Sequence, residues 1–182
     1  MGLKGKIIST CVMIALTLCS AIAIGFAYSN PGINISSPTS FNVDAGVQAT
    51  ISTTVKMNNE NINIGQNGSL TILATDSKAS HDLNIPEQSF TKSGDTLVYS
   101  YTITNTQTED AGSNFVVDMS FEQPEDELNG VVSITSNFST LSEADKTLEN
   151  NESITITFTI TLESEAKTFN YDPSISFSLS KI

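Results

Sequence analysis

The chain has 182 residues, with eight lysines, no arginine and 20 acidic residues, giving a net charge of −12 at pH 7. A field of that sign repels DNA, RNA and anionic membrane surfaces, which excludes nucleic-acid binding. The only cysteines, Cys11 and Cys19, fall in the first 27 residues, so a packed core without disulfides must hold everything beyond them.

Lys4 and Lys6 precede an uncharged run from Ile7 to Ala27, IISTCVMIALTLCSAIAIGFA. A basic start, an apolar centre and a small residue ahead of polar sequence is the layout of a secretory signal. Gly25 and Ala27 suit signal peptidase, which predicts a cut between Ala27 and Tyr28; Ala21 and Ala23 offer an earlier site. Left uncut, the same 21 residues are long enough for a membrane anchor, since about 20 cross a bilayer. Ser9, Thr10, Thr17 and Ser20 weaken that alternative. Both readings put the body of the protein outside the cytoplasm, secreted or on the cell surface. Lys6 stands where myristoylation wants Ser or Thr. Leu18 is too large before Cys19 for a lipoprotein signal. Without the leader, six lysines face 20 acidic residues over 155 positions, a net of −14. A cysteine-free domain of that size fits a bacterial exported protein better than a disulfide-stapled one.

Asn30-Pro31-Gly32 opens the exported part as a turn or linker. Short runs rich in Val, Ile, Thr, Phe and Tyr then predict strands at 33–36, 40–43, 47–56, 69–75, 96–104, 114–121, 131–136, 153–162 and 174–181. The clearest is SITITFTITL, Ser153 to Leu162, where apolar residues alternate with hydroxyls. Asn67-Gly68 and Asn129-Gly130 read as turns that tolerate positive φ, and Ser93-Gly94-Asp95 as the turn before the strand at 96. EQPEDEL, Glu122 to Leu128, reads as a charged loop, and Ser142 as the cap of one helical turn through Lys146. No stretch sustains a 3.6-residue period. The sum is an all-β, antiparallel sandwich of Greek-key type: one domain over 38–182, behind an extension at 28–37.

The chemistry-bearing residues are few. His81 sits between Ser80 and Asp82 with no second histidine and no exported cysteine, and reads as a surface loop residue rather than a zinc ligand. No Gly-x-Ser-x-Gly elbow marks a nucleophilic serine, so no catalytic residue and no cofactor are expected. Acidic residues bunch at Glu109-Asp110, Glu122 to Glu127, Glu143-Asp145 and Glu163-Glu165. Loops at one end of a sandwich can bind calcium through such oxygens. No Asp-x-Asp-x-Asp-Gly loop supports this, and a solvated, self-repelling surface is the plainer reading. Asn34, Asn67, Asn137 and Asn151 open Asn-x-Ser sequons, whose use depends on the host. SISFSLSKI at the end of the sequence carries no sortase motif and keeps its alternation, so it reads as a strand within the sheet.

SGDTLVYSYTITNT, Ser93 to Thr106, and LENNESITITFTITL, Leu148 to Leu162, resemble strands of Ig-like bacterial surface domains. The leader closing on GFAYSN is similar to those of the TasA/camelysin group of biofilm-matrix proteins. That resemblance implies an Ig-like or jelly-roll sandwich, exported behind its signal helix and, in some members of the group, assembled into extracellular fibres. In such fibres the N-terminal extension of one subunit completes the sheet of the next. Tyr28 to Ser37, YSNPGINISS, would be the donor here, although only Ile33 and Ile35 alternate and Pro31 breaks its start. The zinc proteolysis attached to the camelysin name finds no His-Glu-x-x-His in this chain. The expectation is a non-enzymatic structural protein whose partners are itself or another surface protein, with signal peptidase acting at export. Its rival is a monomeric adhesive or ligand-binding module with contacts on loops 105–114 or 122–130.

Overall fold

The computed structural model describes residues 32–33, 39–83, 85, 88–108, 114–123, 129–164 and 173–182. The expected leader, the Ala27–Tyr28 junction, most of the 28–37 extension, and Glu109, Asp110, Glu125, Asp126, Glu127 and Glu165 lie outside that set. Within it the strands are β1 (Gly32–Ile33), β2 (Thr39–Val43), β3 (Ala49–Met57), β4 (Glu60–Asn61), β5 (Ser69–Ile72), β6 (Lys78–His81) and β7 (Gln88–Ser89). They continue with β8 (Thr96–Asn105), β9 (Phe115–Phe121), β10 (Val132–Ser136), β11 (Thr147–Leu148), β12 (Ser153–Leu162) and β13 (Ile175–Lys181).

A period of two decides which residues meet. β12 buries Ile154, Ile156, Phe158, Ile160 and Leu162, and β8 buries Leu97, Tyr99, Tyr101 and Ile103, while the residues between them face outward. β8 pairs antiparallel with β12 on one side and with β3 on the other, along nearly its whole length. β10 borders β12 at one end of this first sheet; β4 and β5 share the far side of β3. The second sheet runs β11-β9-β13-β2-β6. Its ladders are antiparallel except that of β13 and β2, which is parallel from Ser40↔Ser176 to Val43↔Leu179. β1 and β7 form a two-residue ladder of their own. The inner faces of both sheets feed one apolar cluster, so the fold is the expected all-β sandwich.

An aromatic belt crosses that core. Phe41 stacks on Phe177 at 5.1 Å within the second sheet, and Phe177 meets Tyr101 of the first edge-to-face at 5.1 Å. Phe121 of β9 meets Phe158 of β12 at 5.0 Å. Each buried ring or branched aliphatic is worth about 1.5–3 kcal/mol, which is how a core without disulfides suffices. Tyr101 carries a hydroxyl into this belt, and Thr39 of β2 meets it at 2.8 Å. Burial holds the Tyr101 phenol neutral, well above its ordinary ionisation range, against a smaller opposing pull from the Thr39 bond.

Turn chemistry fixes the connections. Asn58 and Asn59 both take positive φ, 49° and 70°, and close the β3–β4 hairpin in two residues. Gly130 and Gly94 take positive φ as their turns require. Gly68 does not; it lies in a 3-10 turn, Gly65–Gly68, where a Cβ would sit 3.3 Å from the Thr53 carbonyl oxygen. Close approach, not backbone handedness, selects that glycine. The run at 69–75 stops at Ile72 because the Asp76 carboxylate accepts from the Leu73 N–H at 2.8 Å, turning the chain. Ser142 caps Glu143–Lys146 with a full capping box, and its hydroxyl pulls the Asp145 carboxyl below its ordinary range.

Asp95, read from sequence only as a turn residue, is 1% exposed and anchors its loop. Its carboxylate accepts from the Thr91 N–H at 2.6 Å, the Thr91 hydroxyl at 2.9 Å, the Lys92 N–H at 3.0 Å and the Asn58 amide at 3.1 Å. Burial pushes its pKa up, but these donors together outweigh burial and hold it below the ordinary aspartate value. The folded carboxylate therefore binds its proton less readily than the unfolded one. Its stabilising contribution is complete above the ordinary value of 3.8 and is lost as the pH falls below it. Asp95→Ala strands several donors and should cost about 3 kcal/mol in urea unfolding at neutral pH. The same variant should flatten the acid limb of the stability profile; an unchanged limb would refute the assignment.

Candidate functional site

The described surface offers edges and faces rather than a pocket with convergent chemistry. β10 is five residues long against the ten of β12, and it ends the first sheet. The Glu163 N–H donates to the Val131 carbonyl at 2.8 Å, which makes 131/163, 133/161 and 135/159 the hydrogen-bonded pairs. The backbone groups of Val132, Ile134 and Ser136 therefore turn away from β12. Beside them lies an open cleft of about 540 Å³, lined by Gln123, Asn129, Gly130, Val132, Ser133, Ile134 and Glu163. The Glu163 carboxylate accepts from the Ser133 hydroxyl at its rim. Val132 is bridged to Asn129 and the Ser136 carbonyl accepts from the Ser139 hydroxyl, so Ile134, with its outward peptide groups beside the cleft, gives it the features of a short strand acceptor.

Past β10 the edge of β12 is closed by a side chain. The Asn137 amide nitrogen donates to the Thr155 carbonyl at 3.1 Å, and its oxygen accepts from the Thr157 N–H at 2.8 Å. One amide thus stands in for a strand peptide and confines the acceptor to β10. Asn137 was singled out in the sequence only as a sequon residue. The other described sequon residues, Asn67 and Asn151, are exposed.

The sequence reading of His81 as a surface loop residue is corrected by the fold. His81 is 4% exposed and closes β6 on its inward face. Its Nδ1 lies 3.4 Å from the Thr53 hydroxyl of the first sheet, and its Nε2 meets the Asn67 carbonyl. The polar neighbours Ser80 and Asp82 suggested a loop, but alternation along Lys78–His81 turns the ring inward. Burial lowers its pKa below the ordinary 6.5, partly opposed by the Asn67 carbonyl and by Asp82. Both ring nitrogens are occupied in bridging the sheets. Among the described residues no group of three or more His, Cys, Asp or Glu could hold a metal ion. Among the same residues no helix is long and apolar enough to cross a membrane.

The outer face of the first sheet is a second feature. Its rows read Thr50–Thr104–Ser153, Ser52–Thr102–Thr155 and Thr54–Ser100–Thr157 across β3, β8 and β12. Hydroxyls meet across strands at 3.0 Å for Thr102 and Thr155 and at 2.8 Å for Thr104 and Ser153. Val98 and Lys56 are the exceptions on the outward positions of these three strands.

Two outcomes test these features. Asn137→Ala should expose the Thr155 and Thr157 peptide groups, lowering stability by about 1–2 kcal/mol and raising self-association in sedimentation. His81 resists protonation when folded, whereas the unfolded ring takes its proton near 6.5. Its stabilising contribution is complete above that value and declines as the pH falls below it, until the folded ring also protonates. Urea midpoints on either side of pH 6.5 should show the drop, and His81→Gln should remove it.

No protein-family model, curated protein or solved structure matches this chain.

Proposed function

We infer that this chain is an exported, non-enzymatic structural protein of the cell surface or extracellular matrix, assembling by β-strand addition. The observation that carries the reading is the outward edge of β10 beside an open, partly apolar cleft. The leader-like run Ile7 to Ala27 supports export, with cleavage between Ala27 and Tyr28. The extension 28–37 is the donor strand. Its residues Gly32 and Ile33 already pair antiparallel with Ser89 and Gln88, through a ladder short enough to exchange. The sandwich is of the Ig-like or jelly-roll, Greek-key kind, and its strong negative charge keeps subunits apart until a donor strand engages. No cofactor takes part.

The chain from Tyr28 to Ile182 should form filaments in negative-stain electron microscopy and sediment as an assembly, whereas one starting at Pro38 should stay monomeric. Ile134→Pro deletes an N–H that points away from β12, so the monomer should keep its fold and lose the filaments. Monomers from both lengths would sink the strand-donation reading.

A further inference from the structure

The one parallel ladder among the described strands joins the first strand of the sandwich to the last. The chain enters β2 at Thr39 and leaves β13 at Lys181. Because the two strands run the same way, those points lie at opposite ends of the ladder. A pull on the chain ahead of β2 and behind β13 therefore acts along both strands in opposite senses. It loads every hydrogen bond of the ladder together, where an antiparallel pair joined by a hairpin would open one bond at a time.

Neither strand is an edge. β2 is held on its other side by β6, from Thr39↔His81 to Asn42↔Lys78, and β13 by β9, from Ile175↔Phe121 to Lys181↔Phe115. The ladder continues one residue beyond β2. The Asp44 N–H donates to the Leu179 carbonyl at 3.0 Å, and its carboxylate accepts from the Lys181 N–H at 3.0 Å. Side chains lock the same register. Phe41 stacks on Phe177, and the Thr39 hydroxyl meets that of Tyr101 across the core, so sliding β2 past β13 must break the aromatic belt and a buried hydrogen bond as well. β1, tied by two residues to β7, lies ahead of β2 and would let go first without disturbing this arrangement.

We propose that β2 and β13 form a shear clamp, which resists a pull applied to the chain ahead of Thr39 and behind Lys181. The use of such a clamp rests on the surface-protein reading above; its mechanics do not. Forced unfolding reads the unfolding barrier directly, and the barrier is highest where many bonds must fail at once.

The test compares two pulling directions on one folded monomer. The chain from Tyr28 carrying Ile134→Pro, which should stay monomeric, spans every described position and lacks Cys11 and Cys19, so introduced cysteines are its only handles. Ser40, Ala45 and Ile182 are all exposed. Handles at Ser40→Cys and Ile182→Cys load the clamp in shear. Handles at Ala45→Cys and Ile182→Cys peel β2 from the end it shares with β13. In single-molecule force spectroscopy the shear pair should rupture in one step at a severalfold higher force than the peeling pair. Equal forces in the two directions would overturn the proposal. Urea unfolding of each variant checks that it is folded, and Ser180→Cys in place of Ile182→Cys repeats both geometries should a terminal handle disturb the sheet. Because the measurement is made on monomers, a failed clamp leaves the assembly reading standing, and failed assembly leaves the clamp standing.

Discussion

The phenol of Tyr101 sits where water cannot reach it, and much of the architecture follows from satisfying it. A buried hydroxyl without a partner is expensive. Here the partner is Thr39, which fixes the start of β2 opposite the middle of β8. Once β2 is there, Phe41 lies on Phe177 and the parallel register with β13 is set. The other strands of the second sheet then take their places on either side. His81 performs the same office further out, bridging β6 to Thr53 of β3. Two polar stitches and an aromatic belt thus define how the sheets face each other.

The amount legible in the sequence tracked how local each cause was. β8, β9, β12 and β13 could be read because alternation is written into each strand. The cap at Ser142 could be read because both halves of its capping box lie within four residues. β4 and β11 could not, since two-residue strands carry no period and exist through what they pair with. The burial of Asp95 escaped for a related reason. Its Asn58 donor lies on another hairpin, and a carboxylate in a Ser-Gly-Asp turn ordinarily faces water. His81 was misplaced because charge next to it in sequence says little about which side of a short strand it occupies.

The two borders of the first sheet are treated differently. Along β3 the far border is broken into β4, the turn at Gly65–Gly68 and β5, none long enough to template a partner. Along β12 the border is partly sealed by the Asn137 amide and partly continued by β10, whose own outer side adjoins the cleft. A protein that blunted every edge would gain solubility and lose any means of strand-to-strand contact. The selective blunting here leaves the outer side of β10, at Ile134, as the place for it on this sheet among the described residues.

The hydroxyl rows on the outer face of the first sheet separate the molecule into two electrical territories. Most of the described carboxylates belong to turns and loops, and their mutual repulsion reaches only about 10 Å at 0.1 M salt. The rows of threonine and serine carry no formal charge apart from Lys56, so dissolved ions leave their hydration almost unchanged. Added salt therefore softens the acidic rim while the flat face stays as it was. Brine and fresh water would present neighbouring molecules with the same threonine terrace but with very different margins around it.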